Sequence, residues 1–160
     1  MNHLIETVKE DLKIYEGFKP YVYLCPAGLK TIGYGHNIES SPLTINGIRL
    51  DKDYIIDGKH VITREEAEEV LEDDIKNSED DSRRLFSDFY DYPLNVRYSI
   101  ISMVYQLGMP TVGNFRNMCA AIKNRKWKVA CYEALNSKWH LQDTPERSLK
   151  VAFKFLDAID

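Results

Sequence analysis

The chain has 160 residues, of which 44% are apolar and 29% are charged, which is typical of a globular domain that buries its own core. No run of about 18 apolar residues is present, which argues against a membrane-spanning helix. The net charge of −4 disfavours nucleic acid as the main partner, because proteins that bind nucleic acid usually carry a basic face.

The first part of the chain changes from a helical to a strand-like pattern. Apolar residues at helical spacing predict a helix over residues 3–15, and Gly17 is a stop signal. Residues 18–35 are rich in strand formers on both sides of a turn, which predicts a hairpin. A small, loop-rich β region follows, marked by two turn dipeptides: Asn46-Gly47 and Asp57-Gly58.

The second part of the chain is helical. Thr63 and Glu66 have the spacing of a capping box, which predicts the start of a long helix that ends at about Phe86. From Leu94 onward, stripes of apolar residues predict helices. Thr144 is predicted to cap the last of them, with Pro145 at its first position. The order of elements predicts one α+β domain with two lobes and a connecting helix. The β lobe comprises approximately residues 16–62, the connecting helix residues 63–86, and the helical lobe residues 1–15 together with 87–160.

Cysteine and histidine usage predicts neither disulfides nor a metal site. The odd number of cysteines and their wide spacing indicate reduced thiols, at Cys25, Cys119 and Cys131. The histidines are scattered, so we expect no metal and no cofactor. The first residues lack the basic start and apolar stretch of a signal peptide, so we expect synthesis in a cytoplasm.

Charge is distributed unevenly along the chain. Residues 65–81 hold ten acidic residues, whereas residues 116–128 hold five basic residues and no acid. Such runs are most often solvated helix faces. The alternative is a basic surface that meets an anionic polymer.

One segment has the residue types needed for hydrolysis of a glycosidic bond. Glu16 stands at the end of the first predicted helix, eight residues separate it from Cys25, and five more separate Cys25 from Thr31. Glycoside hydrolysis needs a proton donor on one side of the bond and a group that activates water or holds charge on the other. A helix end opposite a hairpin can supply both.

This spacing resembles the Glu-x8-Asp/Cys-x5-Thr pattern of phage endolysins in glycoside hydrolase family 24, and the resemblance covers nearly the whole chain. Two further blocks resemble motifs of that family. Residues 31–36 are similar to its T-I-G-x-G-H, and residues 137–147 are similar to its S-R-W…Q-T-P-N-R. The resemblance implies a two-lobed lysozyme-like fold. It also implies a muramidase that hydrolyses the β-1,4 bond between N-acetylmuramic acid and N-acetylglucosamine in peptidoglycan. Such an enzyme acts as a monomer and lyses the host cell after release across the inner membrane.

The resemblance also implies a role for individual residues. Glu16 matches the general acid, Thr31 the residue that positions the attacking water, and Cys25 the second-carboxylate position. His36 and Asp74 match a structural pair that ties the β lobe to the long helix. Arg147 matches the arginine that pairs with the catalytic Glu. Four further residues match the saccharide-contact positions: Asn37, Tyr105, Met118 and Glu133.

Two departures from the family pattern affect these roles. Cys25 stands where an Asp is common, and a thiol with its usual pKa near 8.5 is mostly neutral at pH 7. Nothing nearby in the sequence predicts a lower pKa for this thiol. Asp143 has the position of an inserted residue, which affects the register of Arg147.

Two other functions remain open from the sequence alone. A cysteine hydrolase could use Cys25, His36 and Asp74 as nucleophile, base and orienting acid. A murein-binding module could keep the fold without catalysis. Cys25 lies in a predicted turn, away from any predicted helix start that would lower the pKa of its thiol, which disfavours the cysteine hydrolase. The presence of Glu16 and Thr31 disfavours the non-catalytic binding module.

Overall fold

A computed structural model describes residues 3–51, 53, 55 and 60–158 of the chain. The main elements in chain order are α1 (His3–Glu16), β1 (Lys19–Leu24), β2 (Lys30–Gly33), β3 (His36–Asn37), β4 (Thr44–Ile45), β5 (Ile48–Arg49), α2 (Arg64–Leu85), α3 (Leu94–Leu107), α4 (Met109–Asn114), α5 (Arg116–Lys123), α6 (Trp127–Leu135) and α7 (Pro145–Phe153). The predicted α+β class is confirmed. The predicted Asp57-Gly58 turn lies outside the described residues. None of the helices in the described ranges is both long enough and apolar enough to cross a membrane.

The chain forms two compact units, one up to Lys76 and one from Asn77 onward. Helix α1 is part of the first unit, where two of its lysines pair with glutamates of α2. Lys13 Nζ lies 2.8 Å from Glu68, and Lys9 Nζ lies 3.9 Å from Glu72. The predicted grouping of residues 1–15 with the C-terminal helices stays a prediction.

The β region consists of a three-stranded antiparallel sheet in the order β1-β2-β3 and a separate β4-β5 hairpin. Asn46 and Gly47 join β4 to β5 and have φ angles of 52° and 74°. These positive angles are those of a tight hairpin turn, as the Asn-Gly dipeptide predicts. The backbone N–H of Asn46 donates a hydrogen bond of 2.8 Å to Glu69 Oε1, which attaches the hairpin to α2.

The predicted capping box begins α2. The N–H of Glu66 donates to Thr63 Oγ1 at 3.1 Å, and the N–H of Thr63 donates to Glu66 Oε1 at 3.4 Å. Two helix-start donors are thereby satisfied. The buried face of the helix has the predicted spacing and consists of Ala67, Val70, Leu71 and Ile75.

A buried polar chain organises the second unit around Trp139, whose side chain is 1% exposed. The indole N–H donates to Gln106 Oε1 at 3.0 Å, and the amide of Gln106 donates to Thr144 Oγ1 at 2.9 Å. Thr144 is the N-cap residue of α7 and Pro145 lies in its first turn, as predicted, although the hydroxyl of Thr144 accepts from Gln106 and makes no hydrogen bond to the helix start.

Candidate active site

Glu16 is the last residue of α1, and its carboxyl group rests against the backbone of Gly35. Gly17, with a φ of +69°, ends the helix and leaves Glu16 half-buried at its terminus. Gly35 lies in the turn between β2 and β3, also with a positive φ of +82°. A Cβ atom at this position would lie 2.8 Å from Glu16 Oε2. Only glycine leaves room for the carboxyl group where it lies, and glycine also adopts this φ at no steric cost.

Tyr23, Cys25 and Thr31 lie close together in the β1-β2 hairpin. Tyr23 is directly opposite Thr31 in the antiparallel register. Cys25 directly follows β1 and lies close to both residues, since its charge acts on Tyr23 and the Thr31 hydroxyl acts on its thiol. Burial raises the pKa of Tyr23, and the negative charges of Glu16 and Cys25 raise it further. The same unit therefore brings together the carboxyl group, the thiol and two hydroxyl groups.

The side chain of Thr31 is buried, and its hydroxyl group makes a hydrogen bond within the hairpin. Its side chain is 3% exposed, and its hydroxyl donates a hydrogen bond of 2.9 Å to the carbonyl of Leu29. The same hydroxyl lowers the pKa of Cys25, because it can donate to the thiolate. A hydroxyl with one proton and free lone pairs can accept from a water while it donates to one of these partners.

The predicted hydrogen bond between His36 and Asp74 is present. His36 Nδ1 donates to Asp74 Oδ2 at 2.8 Å, and Nε2 donates to the carbonyl of Ser41 at 3.2 Å. Both partners accept, so the doubly protonated ring satisfies both. Burial favours the neutral ring, but the hydrogen bond and the charge of Asp74 outweigh burial and raise the pKa of His36. The pair ties β3 to α2 and keeps the β2-β3 turn in place.

Comparison with known proteins identifies the family. A family profile described as phage lysozyme matches residues 13–150, which include the segment from Glu16 to His36. The chain belongs to the phage lysozyme family. It is 32% identical over 158 residues to "Probable T4-type lysozyme 1" of Dictyostelium discoideum, with 92% of each chain covered. It is 30% identical over 162 residues to "Probable T4-type lysozyme 2" of the same organism, with 95% of each covered. The protein is therefore a glycoside hydrolase of the lysozyme type.

The thiol of this lysozyme differs from the sequence-based expectation. Burial would raise the pKa of Cys25, but hydrogen bonds from the N–H groups of Leu29 and Ala27 and from the Thr31 hydroxyl hold it below its usual value. The expectation that nothing nearby lowers this pKa is wrong, because the turn directs its own amide groups at the sulfur. The hairpin turn closes through the N–H of Cys25, which donates to the Leu29 carbonyl at 3.0 Å. The lysozyme thus holds a partly exposed thiol that ionises more readily than an ordinary one.

The predicted saccharide-contact residues fall in different environments. Asn37 pairs with Thr31 across β2 and β3, and its side-chain oxygen accepts from the N–H of Glu39 at 2.9 Å. Tyr105 and Glu133 are half-buried on α3 and α6. Met118 is 1% exposed on α5, so a sugar could reach it only after neighbouring side chains move. Contact of these residues with substrate stays a prediction.

Arg147 lies in the first turns of α7 and is half-buried. Asp143, which the family resemblance marks as an insertion, ends a π-helical turn over Trp139–Asp143. The turn is closed by the N–H of Thr144, which donates to the Trp139 carbonyl at 3.0 Å. A π turn holds one residue more than an α turn. The insertion is therefore accommodated before α7 begins. The ion pair between Arg147 and Glu16 stays a prediction.

Two residues of the site did not stand out from the sequence. Tyr23 could have been found from its place in the predicted hairpin, because it precedes Cys25 by two positions. The sequence does contain a signal for Gly35, because Gly33 and Gly35 flank Tyr34 and two glycines so placed indicate tight backbone geometry. Its contact with Glu16 required the fold.

Proposed function

We propose that this lysozyme is an endolysin-type muramidase that hydrolyses the β-1,4 bond between N-acetylmuramic acid and N-acetylglucosamine in peptidoglycan. In this proposal Glu16 is the general acid, while Thr31 and Cys25 position the attacking water. The observation that carries it is the Glu16 carboxyl group held against Gly35, in the unit whose hairpin brings Thr31 and Cys25 close together.

The proposed reaction assigns one task to each group. Glu16 gives its proton to the glycosidic oxygen as the carbon–oxygen bond breaks, and it ends as a carboxylate. A water molecule held by the Thr31 hydroxyl attacks the anomeric carbon, which carries positive charge in the transition state. The Cys25 thiolate stabilises that charge and takes the proton that the water loses. Proton exchange with solvent returns both groups to their starting forms.

The geometry of His36 weighs against the cysteine hydrolase. That function needs an imidazole nitrogen free to take the proton of Cys25. Both ring nitrogens of His36 are occupied by Asp74 and by the carbonyl of Ser41, and the side chain is 5% exposed. The group that could serve as base is therefore committed to holding the fold.

Mass spectrometry of digested peptidoglycan tests the proposed reaction. We expect products with new reducing ends at N-acetylmuramic acid. Glu16→Gln should release none, because an amide cannot donate the required proton, whereas Glu10→Gln, an exposed change in the same helix, should act like the wild type. Cleaved stem peptides would identify a peptidase instead, and a lack of products from the wild type would leave a non-catalytic binding module.

We also propose that the protein is made in the host cytoplasm, remains monomeric, and lyses the host after release across the inner membrane. Expression in bacteria tests this route. Cells should stay intact until the inner membrane is permeabilised and should then lyse, while cells that express the Glu16→Gln variant should not lyse. Lysis by the wild type without permeabilisation would contradict the route, and sedimentation of the purified protein as a dimer would contradict the monomer.

A further inference from the structure

A stretch of the second unit carries a charge opposite to that of the protein. Residues 116–128, here named the basic segment, contain Arg116, Lys123, Arg125, Lys126 and Lys128 and no acidic residue. The whole chain has a net charge of −4, so the remaining residues carry −9 against the +5 of the basic segment. Such an uneven distribution creates a local positive potential that the net charge conceals.

Four of the five cations of the basic segment carry charges that no described carboxylate neutralises. Several basic residues outside it pair with carboxylates: Lys9, Lys13, Lys76, Arg83, Arg84 and Lys154. Within the described part of the chain, no carboxylate pairs with Arg116, Lys123, Lys126 or Lys128, and all four side chains are exposed. Their charges are therefore available to an external anion.

The fold fixes where these cations stand. Arg116 and Lys123 are seven residues apart, so they lie on one face of α5, opposite the buried Met118 and Ile122. Lys126 and Lys128 lie at the start of α6, after a sharp change of chain direction. The two pairs belong to consecutive helices that pack against each other.

Arg125 holds that change of direction in place. It has a positive φ of 57°, and its guanidinium group lies 5.2 Å from the centre of the Tyr92 ring. Its Nη1 donates to the carbonyl of Asp91 at 3.2 Å. A shallow depression of about 320 Å³ lies beside it, lined by Arg125, Lys126, Trp127, Lys128 and Val129. The basic segment is thus a fixed surface with an apolar floor.

We infer that the basic segment binds the carboxylates of the peptidoglycan stem peptides and so holds the enzyme on the wall. This inference rests on the proposed function for its substrate. Stem peptides accompany every glycan strand that a muramidase cuts, whereas phosphate polymers, lipids and nucleic acids do not. A protein whose remaining surface is acidic needs such a surface to approach a polyanionic wall.

Binding to isolated sacculi tests the inference without turnover. The Glu16→Gln protein serves as the parent, and the fraction that sediments with sacculi gives the Kd. Changing Arg116, Lys123, Lys126 and Lys128 to Gln should weaken binding about tenfold or more at low salt, because each exposed ion pair contributes a small factor. The control changes Lys76, Arg83, Arg84 and Lys154 to Gln, which removes the same charge from paired positions and should leave the Kd within about twofold. The difference between the two variants should disappear at about 0.5 M salt, where screening is strong.

Chemical changes to the wall identify the anion. Amidation of the stem-peptide carboxylates should abolish the difference between the two variants, and removal of wall phosphate polymers with hydrofluoric acid should leave it intact. Equal Kd values for the two variants would overturn the inference, as would a difference that survives amidation or appears only with anionic vesicles or nucleic acid. Reducing-end release by the corresponding variants with Glu16 intact is measured separately. A wild type that releases no reducing ends would refute the proposed function and leave the binding result valid.

Discussion

The contact between Gly35 and Glu16 makes a prediction in which catalysis and stability respond differently. Alanine at position 35 places a Cβ atom 2.8 Å from Glu16 Oε2, whereas ordinary contact begins near 3.4 Å. The carboxyl group must therefore retreat by about 0.6 Å, the difference between these distances. Because the clash is with the end of a flexible side chain, it costs little folding free energy.

The backbone supplies the cost in stability. A φ of +82° costs a residue with a Cβ atom roughly 1–2 kcal/mol, which lowers the Tm of a chain of this size by about 2–8 °C. Gly47→Ala is the matched control, since Gly47 has a φ of +74° and nothing within 4 Å of the added atom. Both variants should lose similar stability.

Only the Gly35 variant should lose activity beyond its loss of stability. Misplacement of a catalytic group by 1 Å can cost about a hundredfold in rate, so we expect kcat to fall roughly tenfold or more with KM nearly unchanged. Thermal unfolding measures the loss of stability of each variant. The rate of reducing-end release from sacculi, measured well below the Tm of both variants, measures the loss of activity. A Gly35→Ala enzyme with the kcat of Gly47→Ala would refute the reasoning.

Two further predictions concern Glu16 and the His36–Asp74 pair. Glu16→Gln should abolish lysis with little change in Tm, and clearance of cell walls at more than a few per cent of the wild-type rate would contradict its role as the acid. The raised pKa of His36 means that the stabilisation by Asp74 is full below the usual histidine pKa near 6.5. It fades as pH rises through the higher folded-state pKa. Asp74→Asn should therefore lower the free energy of unfolding by about 1–3 kcal/mol at pH 5.5 and by less at pH 9, and denaturant titrations that give equal losses at both pH values would exclude this linkage.

Local patterns in the sequence were sufficient for much of the fold. The capping box of Thr63 and Glu66 and the Asn46-Gly47 turn depend on neighbouring residues and were predicted correctly. The place of Thr144 before α7 was also predicted correctly, but the partner of its hydroxyl, Gln106, is 38 positions away in sequence. Local patterns do not reveal tertiary contacts of this kind.

In the candidate site, too, features set by local sequence were predicted and features set by tertiary contacts were not. Residue spacing was enough to select Glu16, Cys25 and Thr31, since the family pattern is a pattern of spacing. The contact of Gly35 with Glu16 joins a turn to a helix end and leaves no trace in local periodicity. The pKa of Cys25 depends on the direction of amide N–H groups, which a list of residue types does not contain.

The role of Cys25 is open to a test by substitution. If the thiolate stabilises the transition state, the active form of the enzyme carries a protonated Glu16 and an ionised Cys25 at the same time. Cys25→Asp should retain or exceed wild-type activity near neutral pH, since an ordinary carboxyl group ionises near pH 3.9 and is charged in a larger share of the molecules than the thiol is. Cys25→Ala should lose much of the rate and keep some, because Glu16 and Thr31 remain.

Intact-mass measurement after a substrate quench distinguishes a charge-stabilising thiolate from a nucleophilic one. In the first case no sugar becomes attached to Cys25, because water attacks the anomeric carbon. A dead Cys25→Asp enzyme together with a trapped glycosyl adduct on wild-type Cys25 would make the protein a retaining glycosidase with a thiol nucleophile. The fold favours the first outcome: the hairpin turn and Thr31 already supply hydrogen bonds to the thiolate, and sulfur held in this way is stabilised as an anion at the expense of its nucleophilicity.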